Sequence, residues 1–407
     1  MKESRNKMTN VPNLRFPEFE GEWEETCLEN ICNKIGDGIH STPEYNDFGD
    51  YFFVNGNNLV DGKIKISEST KRVSKKEAEK YNSNNLLKNT LFISINGTIG
   101  SLALYDNEPI MLGKSVCYIN PKSLQNPKFI FYQLDSKRVY NYFISELTGT
   151  TIKNLSLKSI RNTILYIPLQ EEQIKIARLL QLIDDRISTQ NQIIEGLETL
   201  IKNLNNNLKE LYGNEIEISL QQIGTFYSGL SGKSAEDFGR GKPFITYMNV
   251  YKNIIVDESM VQYVNIDKNE SQNKVQYGDV LFTLSSETPQ EVGMSAIYLG
   301  NNNELYLNSF CLGYRLNNFD TLLPEYMPYL FSCKQFRKIV SPLAQGSTRF
   351  NLQKTDFLNK KFKIPTIQNQ KKISNILNAL SEKLKIEQNL LSEYQNQKKY
   401  LLNQMFI

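Results

Sequence analysis

The chain has 407 residues, 40% of them apolar, and a formal net charge of +3. That length allows about two to four domains with sizeable cores, and the small net charge rules out a global cationic field, so any nucleic-acid affinity must come from local patches. No apolar run approaches the ~18–20 residues of a membrane span, and the opening MKESRNKMTN has no signal-peptide apolar region, so a cytoplasmic protein is expected.

From the N-terminus, residues 23–168 are rich in Tyr, Phe, Asn and Gly and carry short β-type runs at 50–54, 90–95 and 116–119, broken by turn residues. A proline that suits a first helical turn opens a helix expected over 127–142. Its start, Asn126-Pro127-Lys128-Phe129, resembles the NPP[FY] loop of amino-methyltransferases, but the third residue is Lys and the matching place in the second half reads Leu323-Pro324-Glu325-Tyr326. A helix start is the better reading.

Next comes the most informative feature. Residues 149–168 (GTTIKNLSLKSIRNTILYIP) return at 346–365 (GSTRFNLQKTDFLNKKFKIP), displaced by 197 positions without a gap. Gly149, Thr151, Asn154, Leu155 and Pro168 fall on Gly346, Thr348, Asn351, Leu352 and Pro365, and the same displacement carries Gln173, Ile176 and Leu180 onto Gln370, Ile373 and Leu377. Repeats this long and this few are not a solenoid. They are two copies of a domain-plus-helix unit, which implies one task done at two places. The second copy, about 215–365, again carries a proline-opened helix, expected over 324–340, and Ser309–Cys311 answers Ser115–Cys117. The loops between differ, as expected if they recognise two different things. The five cysteines are odd in number and form no CxxC pair, which reads as reduced core residues, with Cys117 and Cys311 at matching places.

Each unit ends in a long helix. From Ile176 the apolar positions run Leu180, Ile183, Ile187, Gln190, Ile194, Leu197, Ile201, Leu204, Leu208, Leu211; the second copy runs Ile373, Leu377, Leu380, Leu384, Glu387, Leu391, Tyr394, Lys398, Leu401, Met405. Steps alternating four and three make a heptad seam, interrupted at the same place by Gln190 and Glu387. The two seams are expected to pack on each other antiparallel, which relates the units by an approximate two-fold axis, the symmetry of a DNA duplex backbone. The fold class is therefore α/β: two similar α/β domains in tandem, each followed by a long helix, the helices forming an antiparallel coiled coil with pseudo-two-fold symmetry.

No catalytic constellation stands out. There is one histidine, His40, and no Cys pair, which argues against zinc; GTIGS at 97–101 lacks GxGxxG spacing and there is no Walker A loop. What remains are polar, aromatic loops with scattered cations. After each repeated Gly, Thr150, Thr151 and Lys153 answer Ser347, Thr348 and Arg349, with Arg349 one step off register. Small hydroxyls, free backbone N–H groups and a cation suit a phosphate-positioning loop, or a simple turn. Further candidate DNA contacts are Lys34 and His40 in KIGDGIHST, Lys114, and Lys233, Arg240 and Lys242 in SGLSGKSAEDFGRGK; the loops at 97–100 and 285–293 could also reach base edges.

The opening LRFPEFEGEW (14–23), the paired GTT…IP and GST…IP segments, and the helix starts LQEEQIKIARLLQLIDDRI and IQNQKKISNILNALSEKL resemble specificity subunits of type I restriction–modification systems. The resemblance covers nearly the whole chain and is strongest in the helical repeats. It implies a first target-recognition domain at 1–168, a central helix at 169–212, a second recognition domain at 213–365 and a C-terminal helix at 366–407. It further implies that each domain reads half of a bipartite asymmetric DNA site, and that the helices act as ruler and docking surface for two DNA adenine methyltransferase subunits. The resemblance also implies that restriction/translocase subunits join later. This chain would be non-catalytic and bind no cofactor, with S-adenosylmethionine, ATP and Mg2+ on its partners. The turn at 98–100 departs from the pattern, because the second unit reads ETPQEVG there. The rival reading is a methyltransferase or nuclease with unrecognised motifs.

Overall fold

The computed structural model describes residues 10–81, 86–149, 153–211, 216–267 and 269–407, without the side chains of 208–211. Thr150, Thr151 and the side chains of Leu208 and Leu211 therefore lie outside the described residues. The chain divides into two compact units, one running to Asn191 and taking in Asn389–Ile407, the other Gln192–Gln388.

In the first unit an antiparallel sheet runs in the order Cys32–Asp37, Val116–Pro121, Leu91–Ser94, Leu102–Leu104. Both faces are covered at the inner strands, which is why Leu91–Ser94 and Val116–Pro121 read as nearly unbroken apolar runs, whereas Cys32–Asp37 at the edge is partly exposed. Leu91, Ile93, Cys117 and Ile119 face a core shared with Phe129, Tyr132, Ile176 and Leu180. Phe92, Val116 and Tyr118 face a second core with Val54, Leu59, Ile110 and Leu112. There Tyr51–Val54 lies parallel to Ile110–Leu112 and antiparallel to Arg72–Val73. The second unit repeats this plan: Gly224–Ser228, Cys311–Leu316, Val280–Thr283, Ser295–Ile297 in the sheet, and Phe238–Ile245 between Val261–Val264 and a parallel Tyr306–Leu307.

The ladders correct one sequence correspondence. Leu155 N–H donates to Ile95 and Leu352 N–H to Leu284, so Ser94 answers Thr283. Opposite them stand Val116 and Cys311. Cys311 thus occupies the place of Val116, not of Cys117, and a one-residue offset turns a side chain to the other sheet face. Cys117 lies in the helix-side core and Cys311 in the opposite one, with Leu281. All five cysteines are free. Burial pushes the Cys32 and Cys311 thiols up to about 12, so neither supplies a thiolate at neutral pH.

A second cross-strand comparison shows how the copies diverged. In the first unit Tyr118 stands opposite Gly36 and its ring covers that glycine, where a Cβ would come within 2.6 Å of the phenol oxygen. In the second unit the same pair is reversed: Tyr227 stands opposite Gly313, and a Cβ there would meet the ring at 2.0 Å.

The proline-opened helices are each broken in two. Pro127–Leu134 starts as expected, with Asn126 accepting from Phe129 N–H and proline in the first turn. Ser136 then caps a separate helix, Lys137–Ser145. In the second unit the helices are Met327–Ser332 and Lys334–Val340, with Cys333 Sγ accepting from Phe336 N–H at the break and Pro324 lying before the first.

The long helices are Gln170–Leu211, of 42 residues, and Ile367–Gln404, of 38. Along them Ile176, Leu180, Ile183, Ile373 and Leu377 are buried in the cores of their units, Ile187, Ile194, Leu197, Leu380, Leu384 and Leu391 are half-buried, and most residues between them are exposed. One buried glutamine stitches each helix to its own domain. Gln173 donates to Pro168 O at 3.0 Å and accepts from Asn126 N–H at 2.9 Å; Gln370 donates to Pro365 O at 2.9 Å and accepts from Leu323 N–H at 2.9 Å.

Within the first unit the end of the second helix runs antiparallel to the start of the first, since Lys398 meets Asp184 at 2.9 Å while Tyr394 meets Arg186 at 5.9 Å. Leu401, Leu402, Met405 and Phe406 complete the core around Trp23 and Phe129. The Phe406 ring lies 5.5 Å from that of Phe129 and 6.4 Å from that of Trp23. The LRFPEFEGEW segment ties both helices down. Leu14 N–H donates to Gln404 O at 2.8 Å, and Arg15 grips the buried Glu172 carboxylate with two 2.8 Å hydrogen bonds. Phe406→Ala should therefore cost about 3–5 kcal/mol, as deletion of a buried phenyl does. Urea unfolding monitored at Trp23 checks this: an unchanged midpoint would show that the chain end is not part of the core.

Candidate nucleic-acid interface

In each unit five loops meet at one end of the four-stranded sheet, and the same backbone hydrogen bonds hold them there. In the first, Ile39 N–H donates to Leu112 O, Gly113 to Val54, Ile95 to Ser115 and Leu155 to Ile95, at 2.8–2.9 Å. In the second, Leu230 donates to Leu307, Asn308 to Ile245, Leu284 to Phe310 and Leu352 to Leu284, at 2.7–3.0 Å. Identical frames with different tips are what the duplication leaves at this end.

The repeated Gly opens a hairpin in both units. Thr148 and Asn154 exchange backbone hydrogen bonds of 3.0 and 2.9 Å, as Gln345 pairs with Asn351. Gly149 has φ +92° and Gly346 φ +140°, where a Cβ would come within 1.9 Å of Arg349 O, so the turn demands glycine at both places. Lys153, Ser347, Thr348 and Arg349 are exposed on these hairpins.

The other predicted contacts scatter. Lys114 is exposed beside Ser115 at the loop end. His40 is 72% exposed and meets Asp37 at 2.8 Å. Lys34 sits mid-strand, opposite Asn120, with its ammonium 5.8 Å from the Tyr118 ring centroid. Lys233 is tied to Glu270 with only 8% of its side chain exposed, and Gln272 clamps both backbone groups of Ser231, so SGLSGK is neutralised and braced from within. The lysine's hydrogen bond holds the Glu270 carboxyl below its usual range. Lys242 pairs with Glu304, whereas Arg240 is exposed and has no ion-pair partner among the described residues.

The loop at 285–293 is the counterpart of the turn at 98–100. Both close on a glycine of positive φ, Gly100 at +81° and Gly293 at +64°, whose N–H returns to Ser94 O and Thr283 O. Counted from those acceptors, Ser94 to Gly100 and Thr283 to Gly293, the second loop is four residues longer, and it holds the extra turn Pro289–Glu291. Each is braced from the same helix position. Tyr140 packs on Gly100, while Arg337, displaced by 197, donates to the carbonyls of Gln290, Val292 and Gly293 at 2.6–2.7 Å. Burial lowers the Arg337 pKa. The displacement itself could have picked out this pair.

Two more features were not singled out in the sequence. Tyr247 and Tyr251 stack at 6.0 Å beside that loop, with Tyr247 Oη donating to Ser285 O and Tyr251 Oη to the Glu291 carboxylate. Asn55 Oδ1 accepts from Ser115 Oγ at 3.0 Å, fixing the first unit's loops together. Among the described residues no group of three or more His, Cys, Asp or Glu side chains is placed to hold a metal ion.

The family model of the type I restriction modification DNA specificity domain matches residues 20–199 and 217–395, one match in each half. The Methanocaldococcus jannaschii protein named as the type I restriction enzyme MjaX specificity subunit is 22% identical over 433 positions, 98% of this chain and 96% of that one. The Mycoplasma pneumoniae protein named as type I specificity subunit S.MpnORF638P is 33% identical over 186 residues, 41% of this chain and 48% of that protein, so this match spans about half of that relative's length. The crystal structure of the type I restriction–modification S subunit from M. genitalium aligns with a TM-score of 0.57 at 18% identity, covering 98% of this chain and 99% of that one, a likeness of fold.

Proposed function

The chain belongs to the type I restriction modification DNA specificity family, and we propose that it is the DNA-recognising specificity subunit of such a complex, each unit reading one half of a bipartite asymmetric site. The readers are residues 1–168 and 213–365. The helices, residues 169–212 and 366–407, set half-site spacing as an antiparallel pair with pseudo-two-fold symmetry and dock two DNA adenine methyltransferase subunits, which restriction/translocase subunits then join. S-adenosylmethionine, ATP and Mg2+ belong to those partners; this chain binds none of them, is non-catalytic by itself and works in the cytoplasm. Among the described residues no helix is long and apolar enough to cross a membrane.

One observation carries the reading: the same hydrogen-bonded frame recurs with different residues at nearly every loop tip. A catalytic site needs one fixed set of groups, whereas a two-part reader needs one scaffold and two vocabularies. Sequencing of methylated adenines in a host with and without the gene tests it; a methylation pattern that ignores the gene would sink it. Clear equilibrium binding of S-adenosylmethionine to the purified chain would instead favour a catalytic methyltransferase.

The hairpin cations are expected to serve affinity, not sequence choice. Lys153→Ala with Arg349→Ala in the assembled complex should weaken binding to all sequences alike, each lost phosphate contact lowering the salt slope by about one unit. Titrations of specific and scrambled duplexes at several salt concentrations decide it, and a loss confined to the specific duplex would refute the phosphate role.

A further inference from the structure

A cleft of about 430 Å³ in the first unit has no assigned occupant. Two cations line it, Lys65 and Lys71, and no carboxylate does. Among the described residues neither lysine is in an ion pair, unlike Lys233 and Lys242 in the second unit. Lys71 is held in place: its ammonium lies 4.2 Å from the centroid of the Tyr45 ring, which in turn packs edge-on against Phe53 at 5.8 Å, and Phe53 N–H donates to Lys71 O at 2.8 Å. Lys65 is anchored through its carbonyl, which accepts from Asn58 Nδ2 at 3.1 Å. Between them a turn brings together Ser67, Ser69 and Thr70, whose hydroxyls hydrogen-bond one another at 2.9–3.2 Å, and the Asn57 amide is exposed at the rim.

We propose that this cleft binds a phosphate ester, namely one backbone phosphate of the DNA strand beside the half-site that the first unit reads. Two lysines without acids repel each other unless an anion joins them, and hydroxyl and amide donors suit the oxygens of a phosphodiester. Location favours DNA as the source. Asn55 lines the cleft and also accepts from Ser115 Oγ, so the cleft is continuous with the loop end. The second unit differs at this place among the described residues: Gln262 takes the ladder place of Lys71, opposite Phe244, and Asp257 and Glu258 precede that strand. The first unit thus grips backbone at a point where the second does not.

The proposal rests on the DNA-reading function above, so the wild-type complex must first show site-specific binding; if it does not, that function fails and not the cleft. Given such binding, Lys65→Gln with Lys71→Gln in the assembled complex should lower the salt slope by about one unit, with an unchanged ratio of specific to scrambled affinity and an unchanged methylated sequence. Lys65→Arg with Lys71→Arg should keep the wild-type slope. An unchanged slope in the Gln variant overturns the proposal. If in that case inorganic phosphate or AMP raises the Tm of the purified wild-type chain but not of the Gln variant, the cleft belongs to a free phosphate compound.

Discussion

Exchanging residues 23–148 for the corresponding segment of another specificity subunit should replace one half of the methylated sequence completely and leave the other half intact. The segment holds four of the five converging loops of the first unit, Asn96 to Gly100 among them, and none of the second unit. Each mismatched base pair costs about 1–3 kcal/mol, so a half-site of several base pairs gives an all-or-none switch in the methylated sequence. The donor must keep an aromatic pair equivalent to Trp23 and Phe129, because both pack against Phe406. Single-molecule sequencing of methylated DNA reads the result. If both halves change, or neither does, the two-reader function is wrong.

Lengthening the first long helix should widen the spacer without touching either half-site. Asn205 and Asn206 hydrogen-bond Ser332 and the Lys334 N–H, so an insertion there would disturb the second unit directly. The helix middle is freer: Asn191, Gln192 and Ile193 are exposed. Four residues inserted after Asn191 add ~6 Å and ~40° of right-handed turn, in the same sense as the advance and twist of the duplex. A four-residue insertion into a heptad seam only unwinds it locally. The methylated site should gain about one or two base pairs of spacer at 3.4 Å each. A second variant that carries the same insertion after Gln388 as well lengthens both helices by the same amount. An unchanged spacer in both variants would show that the helices are not a ruler.

The sequence made the helices and the duplication legible because both depend on periodic spacing. Ile183 and Leu377 lie on the apolar face that the helical period sets, and both are buried in the cores of their units. It did not reveal that Met405 and Phe406 finish the first unit's core, because nothing local says which of two similar domains a helix end will meet. The helix breaks at Ser136 and Cys333 were hidden because both residues interrupt otherwise continuous amphipathic runs as caps. Charge pairing at the candidate site was not legible. Lys233 and Lys242 look as available as Arg240 in the sequence, yet their partners Glu270 and Glu304 lie 37 and 62 positions away. Such pairings are tertiary facts.

The reversed Tyr–Gly pair constrains how this gene can change. Recombination between its two halves, or with a relative, brings together strands that matured separately. A crossover between the paired strands would set tyrosine against tyrosine in one product, two rings where the sheet has room for one, and glycine against glycine in the other, leaving a hole the size of a phenol. Viable exchanges must therefore carry both strands together, Cys32–Asp37 with Val116–Pro121 or Gly224–Ser228 with Cys311–Leu316. An exchange between the two halves that respects this pairing moves whole blocks, with breakpoints outside the sheet.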